Sequence, residues 1–218
     1  MNVQALVLDF DGVIADTEPM HFRVLQTVLA EAGYPLSAED YVNRYLGFDD
    51  AGAVRAVAGD LGHALAAEQV TALVARKSRL MDEALAASDV LFPGAAEAIR
   101  ALASVVPLAI ASGALRGEIV AVLGRAGLLE SFRAIVAAGE TAAGKPAPDP
   151  YRRAVALLGV TARRAVAVED SQWGLESACA AGLGTIAVTT SYPASALGMA
   201  DLIVPDLASV TPQRLAAL

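Results

Sequence analysis

Two carboxylates one residue apart, Asp9 and Asp11, close an apolar run that begins at Ala5, and Gly12 follows them. Side chains at i and i+2 of a strand share a face, so the pair projects together from the strand's carboxyl end. Two acids this close repel each other and need a counter-charge, most simply a divalent cation with oxygen ligands such as Mg²⁺. By itself, Asp-x-Asp-Gly is also an ordinary turn after a strand. Further residues change that balance. Ser112-Gly113, Lys145 ahead of Pro146, and Glu169-Asp170-Ser171 each fall just after an apolar run or on the loop between two elements. Taken singly they read as a turn or cap, a solvated loop lysine, and a helix start where acids suit the dipole. Taken together, four acids, one hydroxyl and one lysine at successive strand ends have the chemistry of a metal-and-phosphate site.

That argument needs a parallel sheet to bring the strand ends to one edge, and the chain is patterned for one. Ala5 to Leu8 is apolar without alternation, as a strand covered on both faces should be. From residue 89 onward, strand and helix patterns alternate in the manner of a doubly wound α/β domain. Strands are expected at 107–111, 134–137, 165–168, 185–189 and 201–204. Helices are expected from Pro93-Gly94 to Leu102, from Leu115 to Ala126 ahead of Gly127, from Asp149 to Leu158 ahead of Gly159, and after Ser171 to Ala181. Ligands of such sheets bind beyond the carboxyl ends of the strands.

Residues 16–88 read as helices alone. Pro19 suits a first turn. Phe22, Leu25, Val28 and Leu29 recur at helical spacing, and Gly33 ends the segment. Shorter helices are expected at 37–46 and 49–61, with Ser37 and Asp49 as N-caps. A longer one at 66–87 has an apolar stripe of Val70, Leu73, Val74, Leu80 and Leu85. This is far longer than an ordinary crossover between strands. The expected organisation is therefore a Rossmann-like parallel-sheet core made of 1–15 and 89–218, with a helical cap domain at 16–88 inserted after the first strand.

Composition excludes several classes of function. A net charge of −8 leaves no basic stripe for nucleic acid. Charges interrupt every long apolar run, so no membrane span is expected. The first strand begins almost at once after Met1, so no signal peptide is expected, and the chain reads as cytoplasmic. Cys179 is the single cysteine, which excludes an intrachain disulfide and a cysteine metal cluster. Of the 16 basic residues only Lys77 and Lys145 are lysine. A compact ammonium serves where arginine's planar fork does not fit, which singles out these two positions.

Asp9-Phe10-Asp11-Gly12-Val13, Ala111-Ser112-Gly113, Lys145-Pro146-Ala147-Pro148 and Glu169-Asp170-Ser171 resemble, in order, the four sequence motifs of the haloacid dehalogenase superfamily. The helical insertion resembles that superfamily's first cap class, and the whole is similar to its β-phosphoglucomutase and phosphoglycolate phosphatase branch. The resemblance implies a Mg²⁺-dependent phosphatase acting on a small phosphorylated metabolite. It implies Asp9 as nucleophile, Asp11 as general acid and base, and Lys145, Ser112 and the Gly113 amide as holders of the phosphoryl oxygens. It also implies a metal held by Asp9, the Asp11 main-chain carbonyl and Asp170, with Glu169 as ligand or just behind. Asp16-Thr17 and Ser88 to Phe92 would be the cap hinges, and His21, Arg76 and Lys77 would reach substrate. His63 is assigned to the surface, Cys179 to the core and Trp173 to packing; a monomer is expected.

Rival chemistries fit less well. A dehalogenase would use Asp9, Ser112 and Lys145 but has no work for the Asp11 carboxyl, since a departing halide needs no proton. A phosphoacceptor signalling module needs no cap, and a catalytically dead binding protein need not keep all four motifs. Within the superfamily a sugar phosphomutase is the alternative to a phosphatase. Against the mutase stands Tyr45-Leu46-Gly47-Phe48-Asp49-Asp50, where two acids and no base occupy the stretch expected to grip a distal phosphate unless Arg55 reaches back to it; for the mutase stands the likeness of His21 and Arg76-Lys77 to its pattern.

Overall fold

A computed structural model describes residues 3–45 and 48–216. The chain forms two compact units, one of Met1–Asp16 with Asp89–Leu218 and one of Thr17–Ser88. The first unit is built on a six-stranded parallel sheet. Its strands are β1 (Ala5–Leu8), β2 (Leu108–Ala111), β3 (Phe132–Val136), β4 (Ala165–Glu169), β5 (Gly184–Val188) and β6 (Leu202–Val204), in spatial order β3-β2-β1-β4-β5-β6. The first strand thus lies inside the sheet with a neighbour on each side. All four of its residues are fully buried, which accounts for the unbroken apolar run. Strand order reverses at β1, and that reversal is where a doubly wound sheet opens a crevice for ligands.

In the helical unit, α1 (Glu18–Glu31) starts with Pro19 in its first turn and buries Leu25, Val28 and Leu29. The short α2 (Ala38–Asp40) is capped by Ser37, whose side chain accepts from Asp40 N. It then widens into a π-turn at Tyr41–Tyr45. The helix expected at 37–46 is therefore interrupted, and Leu46 and Gly47 lie outside the described residues. The wide turn sets both tyrosine rings inward while their hydroxyls reach carboxylates, Tyr41 on Glu18 and Tyr45 on Asp60. Helix α3 (Asp50–Asp60) is capped by the Asp49 side chain, which accepts from Gly52 N at 2.7 Å.

The last helix of this unit, α4 (Ala67–Ala87), departs from its expected stripe in one position that matters. Its buried residues are Val70, Lys77, Met81 and Leu85, while Leu80 is only half-buried. Spacings of seven and four place Lys77 on the same helix face as three apolar side chains. A lysine occupies a core position there.

The core helices are α5 (Ala95–Ala103), α6 (Arg116–Arg125), α7 (Asp149–Leu158), α8 (Gln172–Ala181) and a short α9 (Pro212–Ala216). Helix α7 lays Tyr151, Ala154 and Val155 on the small side chains Ala5, Val7, Ala109, Ala111, Ala165 and Ala167, a contact that only alanine-rich strands make shallow enough for a tyrosine. Strand β3 starts two residues before its expected position. Its edge location leaves Arg133 exposed between buried Phe132 and half-buried Ala134, which breaks the apolar run that marks the other strands. Cys179 is exposed on α8, not in the core as its apolar character suggests; hydrophobicity alone does not say which helix face a residue takes. Among the described residues no helix is long and apolar enough to cross a membrane.

Candidate active site

Register brings the sequence motifs to one edge. Leu8 pairs with Ile110 on one side and Val168 on the other, so the carboxyl ends of β1, β2 and β4 come level and Asp9 leaves the sheet beside Glu169. Asp9 N still donates to Val168 O at 2.9 Å, and Ser112 N donates to Val136 O at 2.9 Å, so both residues are anchored by the last rungs of the ladders. Beyond Asp9 the chain folds back sharply: Ile14 N and Ala15 N both donate to Phe10 O. Gly12 makes this turn with φ +75°, and a Cβ there would lie 1.9 Å from an Asp170 carboxylate oxygen. No other residue type fits the turn and the contact at once.

Four ionisable side chains converge. Lys145 Nζ lies 2.9 Å from Asp9 Oδ1 and donates to Glu169 Oε1 at 2.5 Å. Asp9, Glu169 and Asp170 are buried, and each offers an oxygen within 4.8 Å of the others. Burial pushes the Asp9 carboxyl well above the ordinary carboxylate range; Lys145 opposes the rise, and Glu169, Asp170 and Asp11 add to it. Burial and then Glu169 raise Asp170 to about 6, against a hydrogen bond from Ser191 and the charge of Lys145. Burial works against the Lys145 ammonium, but Asp9 and Glu169 outweigh it and hold its pKa above the ordinary lysine value. Three buried carboxylates facing one ammonium leave the cluster net negative. The carboxylates of Asp9 and Asp170, with Glu169 beside them, make an all-oxygen set that fits a hard divalent cation such as Mg²⁺.

Ser112 is buried, and its Oγ accepts from Ala114 N at 3.0 Å, a local turn that fixes the hydroxyl at the end of β2 ahead of Gly113. Asp11 is half-buried in the turn after β1. Four residues of this site carry no motif signal. Tyr151 OH donates to Glu169 Oε1 at 2.6 Å. Thr190 Oγ donates to Gly12 O, and its neighbour Ser191 bonds Asp170, so the loop after β5 closes over the β1 turn. Ser177, buried on α8, donates to Ala147 O at 2.5 Å and ties down the Lys145 loop. A buried Tyr or Ser hydroxyl in an otherwise alanine-rich helix face is the signal that could have singled out Tyr151 and Ser177, since such a group needs a partner.

In the helical unit, Lys77 Nζ lies 3.0 Å from His21 Nδ1 and donates to Asp50. Burial and then the Lys77 charge lower the His21 pKa to about 4, with Asp50 opposing. Arg76 is not part of this group: its guanidinium forks onto Glu31 at 3.1 and 3.2 Å on the exposed side. Adjacent helix residues do not face the same way, and Arg76 and Lys77, both expected by resemblance to reach substrate, are engaged with different partners. Trp173 is 51% exposed, and its ring meets that of Tyr192 edge-on with centroids 6.2 Å apart. His63 is exposed, as expected of a surface residue.

A family profile described as haloacid dehalogenase-like hydrolase matches residues 3–182. The chain belongs to the haloacid dehalogenase-like hydrolases. Within this family it is a phosphatase-type enzyme of the β-phosphoglucomutase and phosphoglycolate phosphatase branch. It is 35% identical to Protein CbbY of Rhodobacter capsulatus over the full length of both chains. It is 32% identical to fructose-1-phosphate phosphatase YqaB of Escherichia coli, over 84% of this chain and 95% of that protein. Among solved structures, CbbY of Rhodobacter sphaeroides in complex with xylulose-(1,5)bisphosphate superposes with a TM-score of 0.81 at 28% identity, covering 94% of this chain and 95% of that one. The haloacid dehalogenase-like fold of the parallel-sheet unit is thus shared over nearly the whole chain.

Proposed function

We propose that this enzyme hydrolyses a small organic phosphate monoester through a phosphorylated Asp9, in a reaction that requires Mg²⁺. The observation that carries the reading is the 2.9 Å approach of Lys145 to Asp9 inside a cluster of buried carboxylates. An isolated buried acid would protonate and lose its nucleophilicity; the fixed ammonium opposes this, and a bound cation would favour the ionised form further.

Asp9 Oδ attacks phosphorus as the bond to the ester oxygen breaks, and Asp11 donates its carboxyl proton to the departing oxygen. Water then attacks the phosphorus of the aspartyl-phosphate, Asp11 takes the water proton, and inorganic phosphate leaves with Asp9 restored. The Ser112 hydroxyl, the Gly113 amide and Lys145 hold the phosphoryl oxygens, fixed donors that need no reorganisation when charge moves. Asp9, the Asp11 main-chain carbonyl and Asp170, with Glu169 beside them, would hold Mg²⁺, which would supply charge neutralisation at the phosphoryl group. By the resemblance, the helical unit would serve as the cap that limits water access, with Asp16-Thr17 and Ser88 to Phe92 as hinges and His21 and Lys77 as substrate contacts.

Charge in the helical unit supports a monoester whose remainder is uncharged. The Lys77 ammonium is matched by Asp50, and His21 is neutral at working pH, so the group carries no net positive charge for a second phosphate. Arg116, the first base after Ser112-Gly113, is likewise held in a fork by Glu140. A sugar phosphomutase is the second reading, favoured by the His21–Lys77 contact. A screen of phosphorylated metabolites with Mg²⁺ should release phosphate from sugar or polyol monophosphates. Given β-glucose 1-phosphate with a trace of glucose 1,6-bisphosphate, the protein should release phosphate faster than it forms glucose 6-phosphate. Isomerisation outpacing phosphate release would select the mutase instead.

A further inference from the structure

We propose that Tyr151 is a positioning residue, whose hydroxyl shares one oxygen of Glu169 with Lys145 and thereby holds Glu169 as the seat of that lysine and off the metal ion. Tyr151 is fully buried on α7, among alanines and valines. A phenylalanine would fill the same space without a hydroxyl to satisfy, so the oxygen must have work to do at its partner. That partner is Glu169 Oε1, 2.6 Å away, the same atom that accepts from Lys145 Nζ at 2.5 Å. The Tyr151 ring meets Lys145 as well, with Nζ 5.2 Å from its centroid. One side chain therefore braces both members of the pair.

The other Glu169 oxygen is equally engaged. Oε2 accepts from Asp170 N and from Ser171 Oγ, each at 3.2 Å. An ionised carboxylate has about four acceptor sites, and four donors occupy those of Glu169. From the far side Gly174 presses on the carboxylate, where a Cβ would lie 1.9 Å from it. Glu169 is thus clamped with its lone pairs spent, whereas Asp9 and Asp170 keep capacity for a cation. The role in turnover rests on the phosphatase reading; the role at the metal does not.

Tyr151→Phe keeps the ring and deletes one donor. With no substrate present, titrating Mg²⁺ by calorimetry should show the variant binding severalfold tighter than wild type, because a Glu169 lone pair becomes available to the ion. Equal or weaker binding would overturn the proposal, whether or not any ester is hydrolysed. In turnover, kcat should fall about tenfold with KM within about twofold, the signature of a group that acts in the transition state. In a Glu169→Gln background the same substitution should cause no further loss in kcat, since the effect passes through that carboxylate. Losses that multiply, or an unchanged kcat in the single variant, would reduce Tyr151 to packing. A melting curve of Tyr151→Phe checks that the fold is kept. Should it not fold, Tyr151→His, which restores a ring donor, must recover wild-type Mg²⁺ affinity for the proposal to stand.

Discussion

Lys77 and His21 face each other on neighbouring helices, with the lysine ammonium 3.0 Å from Nδ1 of the imidazole. Both lie within the helical unit, and Asp50 completes the group. Burial, and then the lysine charge, favours the neutral histidine, and the aspartate keeps the lysine from being an unpaired buried charge.

This contact makes stability depend on pH. The folded-state pKa of His21 is about 4, below the ordinary 6.5, so the unfolded chain binds the proton more readily. Its contribution is complete above pH 6.5 and is lost as pH falls from 6.5 towards 4. The loss amounts to at most about 3 kcal/mol. Thermal melts of wild type and His21→Gln between these limits should diverge, with the variant's melting temperature falling less steeply on acidification. Parallel curves would place the imidazole outside this environment.

Asp9→Asn should abolish turnover while leaving the melting temperature within a few degrees. The amide is nearly isosteric but cannot attack phosphorus. Activity above a few per cent of wild type would remove Asp9 from the role of nucleophile.

Chelation should remove activity and Mg²⁺ restore it, while Ca²⁺ should inhibit because its looser, higher coordination misaligns the attack. Asp170→Ala should raise the Mg²⁺ concentration needed for half-maximal rate by about tenfold or more. Full turnover in excess chelator would exclude the metal.

Gly174→Ala tests the packing behind the site. The added methyl would occupy the space of the Glu169 carboxylate, 1.9 Å from its atoms. Overpacking of this kind costs about 1–3 kcal/mol, and here it also displaces the anion that seats Lys145. The variant should melt lower and turn over slowly. A variant as stable and active as wild type would show that Glu169 can shift freely.

The parallel-sheet fold and the four motifs were legible in the sequence because each is a local signal. Buried parallel strands have no alternation, turns need glycine and proline, and charges collect where strands end. Ala5 to Leu8, Gly159 after α7 and Ser37 before α2 all stand where their residue types demand. Strand β3 was displaced because an edge strand exposes Arg133, and Cys179 because hydrophobicity does not choose a helix face. What only the tertiary structure decided is which charges are spent on each other. Lys77 and Arg76 are neighbours in sequence, yet one is buried against His21 and Asp50 while the other is paired with Glu31 outside. Tyr151 and Glu169 lie 18 positions apart and share a hydrogen bond. Such pairings depend on which faces two elements turn to each other, and side-chain type and spacing along one element carry no record of the partner across the gap.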